Sequence, residues 1–209
     1  MSLRAFQSTL ARLVTEPSFR DRVRTGEEAE LGPDLTEREQ QRLRAAAADP
    51  GLRMTATLVG SFRLGKILQL LPLTRQMLGD ARLVQEARAF WRESPPRTYY
   101  SLEEALQFCD YLLGRAGRGP FVKEVVAFER VQLELRRVRP EGEEVPSQEV
   151  FFRHDPRDVL GPLSEGRAPR QARRWFGRLR ARLAADGEVE WTRIDDPRLD
   201  ELTTADPCL

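Results

Sequence analysis

The side chains able to do chemistry are few, and their types limit what they could do. The only histidine is His154. Any Ser-His-Asp arrangement would have to use it as base, and a His₂ or His₃ metal site cannot form within one chain. His154 stands between Phe151-Phe152-Arg153 and Asp155-Pro156. A surface or turn-stabilising histidine is the expected reading there, and a catalytic base the sharper alternative. Glu129 falls on one helical stripe with Val122, Val125, Val126 and Leu133. It is expected to pair with an arginine such as Arg130 or Arg136, or to sit at the stripe's edge. A lone carboxylate lacks the positioned partner that acid–base work requires. Two cysteines, Cys109 and Cys208, can build neither a disulfide framework nor a Cys₄ zinc site. Cys109 reads as a small buried hydrophobe, and the Cys208-Leu209 ending lacks the spacing that prenylation needs. The glycines of Leu113–Gly119 follow no strand and lead into no Gly-Lys-Ser/Thr, so they read as a turn between helices rather than a phosphate loop. The residues therefore predict no catalytic group, no metal, no cofactor and no enzymatic activity.

One stretch could bind rather than react. Residues 167–182 hold seven arginines and no acid, with Trp175 and Phe176 among them. Arginine beside aromatics can hold phosphates and stack on bases. Residues 186–201 answer with seven acids, so mutual neutralisation across a hairpin is the simpler expectation. An acidic peptide, a partner surface and nucleic acid are the alternatives.

The elements that must position these groups follow from apolar spacing and punctuation. Up to residue 139 the pattern predicts about six to seven helices. Phe6, Leu10, Leu13 and Val14 open the series, and Thr36 with Glu39 forms a capping box. A longer helix carries Leu58, Phe62, Ile67, Leu68 and Leu71 up to Pro72. Gly79 ends the next helix, and Asp80 caps a strong amphipathic one with Leu83, Val84, Ala87, Phe90 and Trp91. Ser101 opens a helix with Leu102, Ala105, Leu106, Cys109 and Leu113, and Pro120 precedes another running to Leu133.

Beyond Pro140 the character changes. Residues 141–146 read as a turn or linker, 149–153 as a strand, and Asp155-Pro156 as the start of a short helix. Residues 171–194 allow either a helix or a hairpin. The hairpin is preferred, because turning at Ala185-Asp186-Gly187 sets Leu183 opposite Val189, Ala181 opposite Trp191 and Arg182 opposite Glu190. Asp196-Pro197 begins a last short helix with Leu199 and Leu202. The predicted class is α+β: a helical domain over 1–139, then a small module over 140–209 with two to three antiparallel strands and short helices.

Bulk properties bound the function. A net charge of +1 gives no global field toward nucleic acid or membrane, and 40% apolar with 32% charged residues is ordinary for a globular chain. No apolar run is long enough to span a membrane, and the N-terminus lacks the apolar core of a signal peptide, so a cytoplasmic protein is expected.

Several words of the sequence together resemble a known family. They are Leu3–Leu13 with Phe6-Gln7, Leu70-Leu71-Pro72-Leu73-Thr74 followed by Leu78-Gly79-Asp80, and Phe90 with Ser94-Pro95-Pro96. Glu104-Ala105-Leu106-Gln107-Phe108 leading to Tyr111-Leu112, Phe121–Glu129, and Phe152-Arg153-His154-Asp155-Pro156 continue the series. In this the chain is similar to HvfC-like and methanobactin-type partner subunits, a family named for an N-terminal DNA-binding domain. The resemblance implies a non-catalytic subunit that joins a separately encoded, iron-dependent TIM-barrel oxidase and recognises the leader of a ribosomally made precursor peptide. The arginine-rich 167–182 stretch is more basic than that pattern.

The residues accommodate such a role, since an open sheet edge can take an extended peptide as an added strand. Candidate edges are Val150 to Arg153 and Val189 to Arg193. Candidate peptide-binding residues are Val150, Phe152, Arg153, Arg174, Arg180, Trp191 and Arg193. A DNA-binding regulator is the alternative, against which stand the near-zero net charge and the lack of a clear basic recognition helix.

Overall fold

A computed structural model describes residues 3–27, 31–94, 101–115, 119–137, 147–184 and 186–194. The expected linker at 141–146, the expected helix from Asp196-Pro197, and Cys208 lie outside these residues. The order is α1 (Leu3–Thr15), α2 (Pro17–Thr25), α3 (Glu37–Ala48), α4 (Pro50–Leu70), α5 (Pro72–Leu78), α6 (Asp80–Glu93), α7 (Ser101–Gly114), α8 (Val122–Leu135), β1 (Gln148–His154), α9 (Pro156–Ser164), β2 (Arg174–Leu183) and β3 (Val189–Ile194). The fold is α+β, with eight described helices before the sheet where six to seven were expected.

The chain forms two compact units, Met1–Lys66 with Ala87–Tyr99, and Ile67–Glu86 with Tyr100–Leu209. This differs from a division at 139/140. The physical reason is that α8 cannot be separated from the sheet, because Phe128, Val131 and Leu135 share one core with Val150, Phe152, Trp175, Leu179 and Ala181.

In the first unit α1, α2 and α3 bury Leu13, Phe19, Val23, Leu31, Leu35, Leu43 and Ala47 together. The capping box forms as read. The Glu39 N–H donates to Thr36 Oγ1 at 3.3 Å, and the Thr36 N–H donates to Glu39 Oε2 at 2.9 Å. These bonds favour the charged form and hold the Glu39 carboxyl below its ordinary range. Thr36→Ala is expected to cost about 1 kcal/mol of stability, read as a lower midpoint in urea with an unchanged slope.

The long helix departs from its expected face. Ile67 and Leu71 are buried, but Leu58 and Phe62 are exposed, and Met54 is exposed with them. Helical spacing put an apolar stripe on α4 correctly, but no described element covers its first half.

In the second unit an antiparallel sheet of order β1-β2-β3 packs one face on α8. The hairpin has the expected register, with Leu183 opposite Val189, Ala181 opposite Trp191 and Arg182 opposite Glu190. Gly187 takes the positive φ of 84° that the turn requires. Between β1 and β2 the register shifts from Phe152 opposite Gly177 to His154 opposite Arg174, so the bulge lies in β2.

Asp155 caps α9, its carboxylate accepting from the Arg157 N–H at 3.0 Å. Asp80 does not act as the cap expected of it, since its carboxylate oxygens take Arg75 at 2.6 and 2.9 Å. No helix among the described residues is long and apolar enough to cross a membrane.

Candidate peptide-binding edge

Alternation along β1 sends Val150 and Phe152 into the core and leaves Glu149, Phe151 and Arg153 exposed. On β2 the same alternation buries Trp175, Gly177, Leu179 and Ala181 and exposes Arg174, Arg178, Arg180 and Arg182. One sheet face is therefore apolar and covered by α8, and the other is a solvent-facing field of arginines. Phe151 stands in that field 44% exposed, with its ring centroid 6.4 Å from that of Phe176.

Of the seven acids expected to neutralise these arginines, Asp195, Asp196, Asp200 and Glu201 lie outside the described residues; the partners seen are on β1 and α9. Glu149 on β1 bonds Arg178 at 3.2 Å and Arg180 at 2.8 Å, and those guanidinia hold its carboxyl below the ordinary range. Arg173 reaches Asp158 at 2.9 Å and Asp155 at 3.2 Å. Arg182 faces Glu190 by register, but no ion pair joins them among the described residues.

The candidate peptide residues therefore divide by face. Arg153 and Arg180 share the open face, while Arg174, also exposed, lies beyond the bulge opposite His154. Phe152 is wholly buried in the core, whereas Val150, also a core residue, borders the groove beside β1. Trp191 stacks on Phe128 at 4.3 Å, and Arg193 lies over the Trp175 ring at 4.0 Å and 3.7 Å from Asp155, so both serve the helix side of the sheet. Trp191 and Arg193 thus lie on the opposite face from Arg180, as the period-2 pattern that sets the hairpin register requires.

β1 and β3 are the two edges of the sheet, as expected. Along β1 runs a groove of about 1030 Å³, with Gln148, Val150, Phe151 and Arg153 on one side and Lys123, Ala127 and Val131 of α8 on the other. Its end is built from Phe121, Glu124 and His154. Phe121, at φ 66°, is the one non-glycine residue with positive φ among the described residues, and it holds its ring edge-on to His154 at 4.7 Å.

Glu124 Oε1 lies 2.9 Å from His154 Nδ1 and accepts the Arg153 N–H at 3.2 Å. Glu124 Oε2 is buried without a hydrogen-bond partner among the described residues. The histidine is thus oriented by a carboxylate and an aromatic ring, which gives the turn-stabilising role a geometry. Among the described residues no serine, threonine or cysteine lines the groove.

Elsewhere, Glu129 is buried but takes no arginine. Its two oxygens accept the backbone N–H groups of Leu73 at 2.7 Å and Thr74 at 2.8 Å. Sequence reasoning missed this partner because it lies 55 residues away at the start of α5. Arg130 instead bonds Asp110 at 2.6 Å. Cys109 is buried, and desolvation together with the nearby Glu129 pushes its thiol far up, out of the range of a nucleophile. Among the described residues no group of three His, Cys, Asp or Glu side chains could hold a metal. Compared with known proteins, the chain matches no family model and no curated protein sequence.

Proposed function

We propose that this chain is a non-catalytic partner subunit that takes an extended, acidic peptide as a fourth strand along β1. The observation that carries the reading is the groove beside β1, an edge that no other strand pairs among the described residues. Most of the acidic groups in its wall already have partners. Asp110 is held by Arg130 and Glu149 by Arg178 and Arg180, and Glu124 is held through Oε1 alone, by His154 and the Arg153 amide. Lys123, Arg153 and Arg115, the last bonded to the Tyr111 hydroxyl, are further cations in the wall, which favours a ligand bearing carboxylates.

The Arg153 N–H points at Glu124, away from β2. Because N–H groups alternate sides along a strand, that of Phe151 points to the same side and is placed to donate to an added strand. The resemblance in sequence gives this site a setting: the peptide is the leader of a ribosomally made precursor, and the chemistry belongs to a separate iron-dependent TIM-barrel enzyme in a heterodimer.

The test is selection of a displayed library of 15-residue peptides on the full chain, followed by hydrogen exchange with a selected peptide. Acidic, β-prone sequences that protect the 149–153 amides are the expected result. Lys123→Glu with Arg153→Glu is expected to weaken binding at least tenfold, about 1.4 kcal/mol. Unaltered affinity in that variant, or protection elsewhere, sinks the reading. A DNA-binding regulator is the second reading, favoured by the arginine field around Phe151 and Phe176. It requires an affinity for oligonucleotides that falls steeply with log salt.

A further inference from the structure

The first unit holds a cleft of about 660 Å³ lined by parts of α1, α2, α4 and α6, within the size range of small-molecule sites. One wall is α4, where Ala56 and Gly60 stand one turn apart, and a Cβ on Gly60 would meet nothing within 4 Å. Small residues on this side leave room that the chain itself does not fill. Val14, Val59 and Leu64 make part of the lining apolar.

The charged lining is nearly all of one sign. Arg20, Arg63, Arg88 and Arg92 stand against a single carboxylate, Glu16, which already bonds Arg12 at 3.1 Å. Two of the four guanidinia are held in place by the chain. That of Arg63 lies 4.5 Å over the Trp91 ring, and Arg20 Nη1 donates to the Leu13 carbonyl at 3.1 Å. The Arg20 Nε–H is buried and has no acceptor among the described residues. Arg88 and Arg92 are exposed one turn apart on α6, and neither joins an ion pair among the described residues. Like charges at that spacing oppose the helix, and α4 brings no acid to the cleft over its 21 residues. The hydroxyls of Ser18 and Ser61 add uncharged donors.

We propose that this cleft binds a small organic phosphate, with the phosphoryl group among the guanidinia and the carbon part against Ala56 and Gly60. Four positive charges and one negative line the cleft. A phosphate monoester brings about −1.5 to −2 of charge and three acceptor oxygens, where a monocarboxylate brings one charge and two oxygens. The guanidinium fork matches phosphate oxygens in pairs, which suits arginine rather than lysine to the task. The cleft lies wholly in the first unit, so the proposal does not rest on the peptide reading of the sheet edge in the second.

The experiment is calorimetric titration of the full chain with phenyl phosphate, beside inorganic phosphate, benzoate and phenol at one ionic strength. Phenyl phosphate is expected to bind with a Kd at or below about 1 mM, and benzoate and phenol about tenfold more weakly or worse. Arg88→Glu with Arg92→Glu, both exposed positions, is expected to raise the phenyl phosphate Kd by about tenfold or more while the melting temperature holds. Gly60→Leu fills the open wall of the cleft. It is expected to weaken phenyl phosphate to the same degree and to leave inorganic phosphate nearly unaffected. No binding of either phosphate, benzoate bound as tightly as phenyl phosphate, or a double glutamate variant that binds like the parent overturns the proposal. So does a leucine variant with unaltered affinity for phenyl phosphate, since the ligand would then lie elsewhere.

Discussion

Gly177→Ala is expected to lower the melting temperature by several degrees, although alanine normally suits a strand better than glycine. A methyl group at Gly177 would run into the six-membered ring of Trp175, which lies across the glycine on the same face of β2. The ring cannot swing aside. It belongs to the core formed with Phe128, Val131 and Phe152, and the Arg193 guanidinium lies against it at 4.0 Å. Overpacking of this kind costs about 1–3 kcal/mol, and in a chain of this size each of those lowers the midpoint by about 2–4 °C. No positive φ is involved at Gly177, so the effect is steric. A double-mutant cycle separates it from any backbone effect. In a Trp175→Ala background, itself costly, Gly177→Ala is expected to be neutral or slightly stabilising. If alanine costs the same with and without the indole, the close approach of ring and backbone is not what selects glycine here.

That contact also marks where the sequence stops being legible. The hairpin could be read because turn chemistry, apolar alternation and one charge pair all demand the same register, and each acts over a dozen residues or fewer. The capping box at Thr36 and Glu39 is local in the same way. The bulge in β2, which folds Trp175 over Gly177, leaves no such signature; a glycine between Phe176 and Arg178 reads equally as a flexible point. The face of a strand was legible within the hairpin: alternation alone separates Arg180 from Trp191 and Arg193. The groove was not legible, because it depends on α8 lying alongside β1 across the 141–146 segment. Nor was the bare half of α4, since periodicity identifies an apolar stripe without saying whether anything covers it.

Glu129 is the strongest case of a residue whose role is set at long range, and it makes stability fall as pH rises. Helix α5 begins Leu71-Pro72, and the Leu71 side chain can accept nothing, so the helix has no cap of its own. The Glu129 carboxylate, reaching from α8, accepts from Leu73 and Thr74, the second and third residues of α5. These are the N–H groups that a local Asn, Asp or Ser would satisfy. Glu129 is a cap supplied from another helix.

Its side chain is only 2% exposed, and burial pushes its pKa up to about 7 from 4.5 even though the two N–H donors pull it down. In the unfolded chain the carboxyl ionises near 4.5, whereas in the folded chain it holds its proton until about 7. Between those values the native state binds more protons, so its stability falls with rising pH, by about 3 kcal/mol in all at full effect. Below 4.5 this group contributes no slope. The carboxyls of Glu39, Asp80, Glu149 and Asp158 act in the opposite sense. Each is held low by its bonds to Thr36, Arg75, Arg180 or Arg173, and each withdraws its support only in stronger acid.

Urea unfolding at pH 4.5, 5.5, 6.5 and 7.5 is therefore expected to give a midpoint that declines across the series. Glu129→Gln keeps the shape and removes the charge, so its midpoint should stay nearly level from pH 4.5 to 7.5. Glu129→Ala leaves two buried N–H groups without an acceptor and should be destabilised at every pH, by about 1–3 kcal/mol. A glutamine variant that declines as steeply as the parent would move the titration to some other group. A level parent with a fragile alanine variant would keep Glu129 as the cap of α5 but show that it stays ionised in the fold.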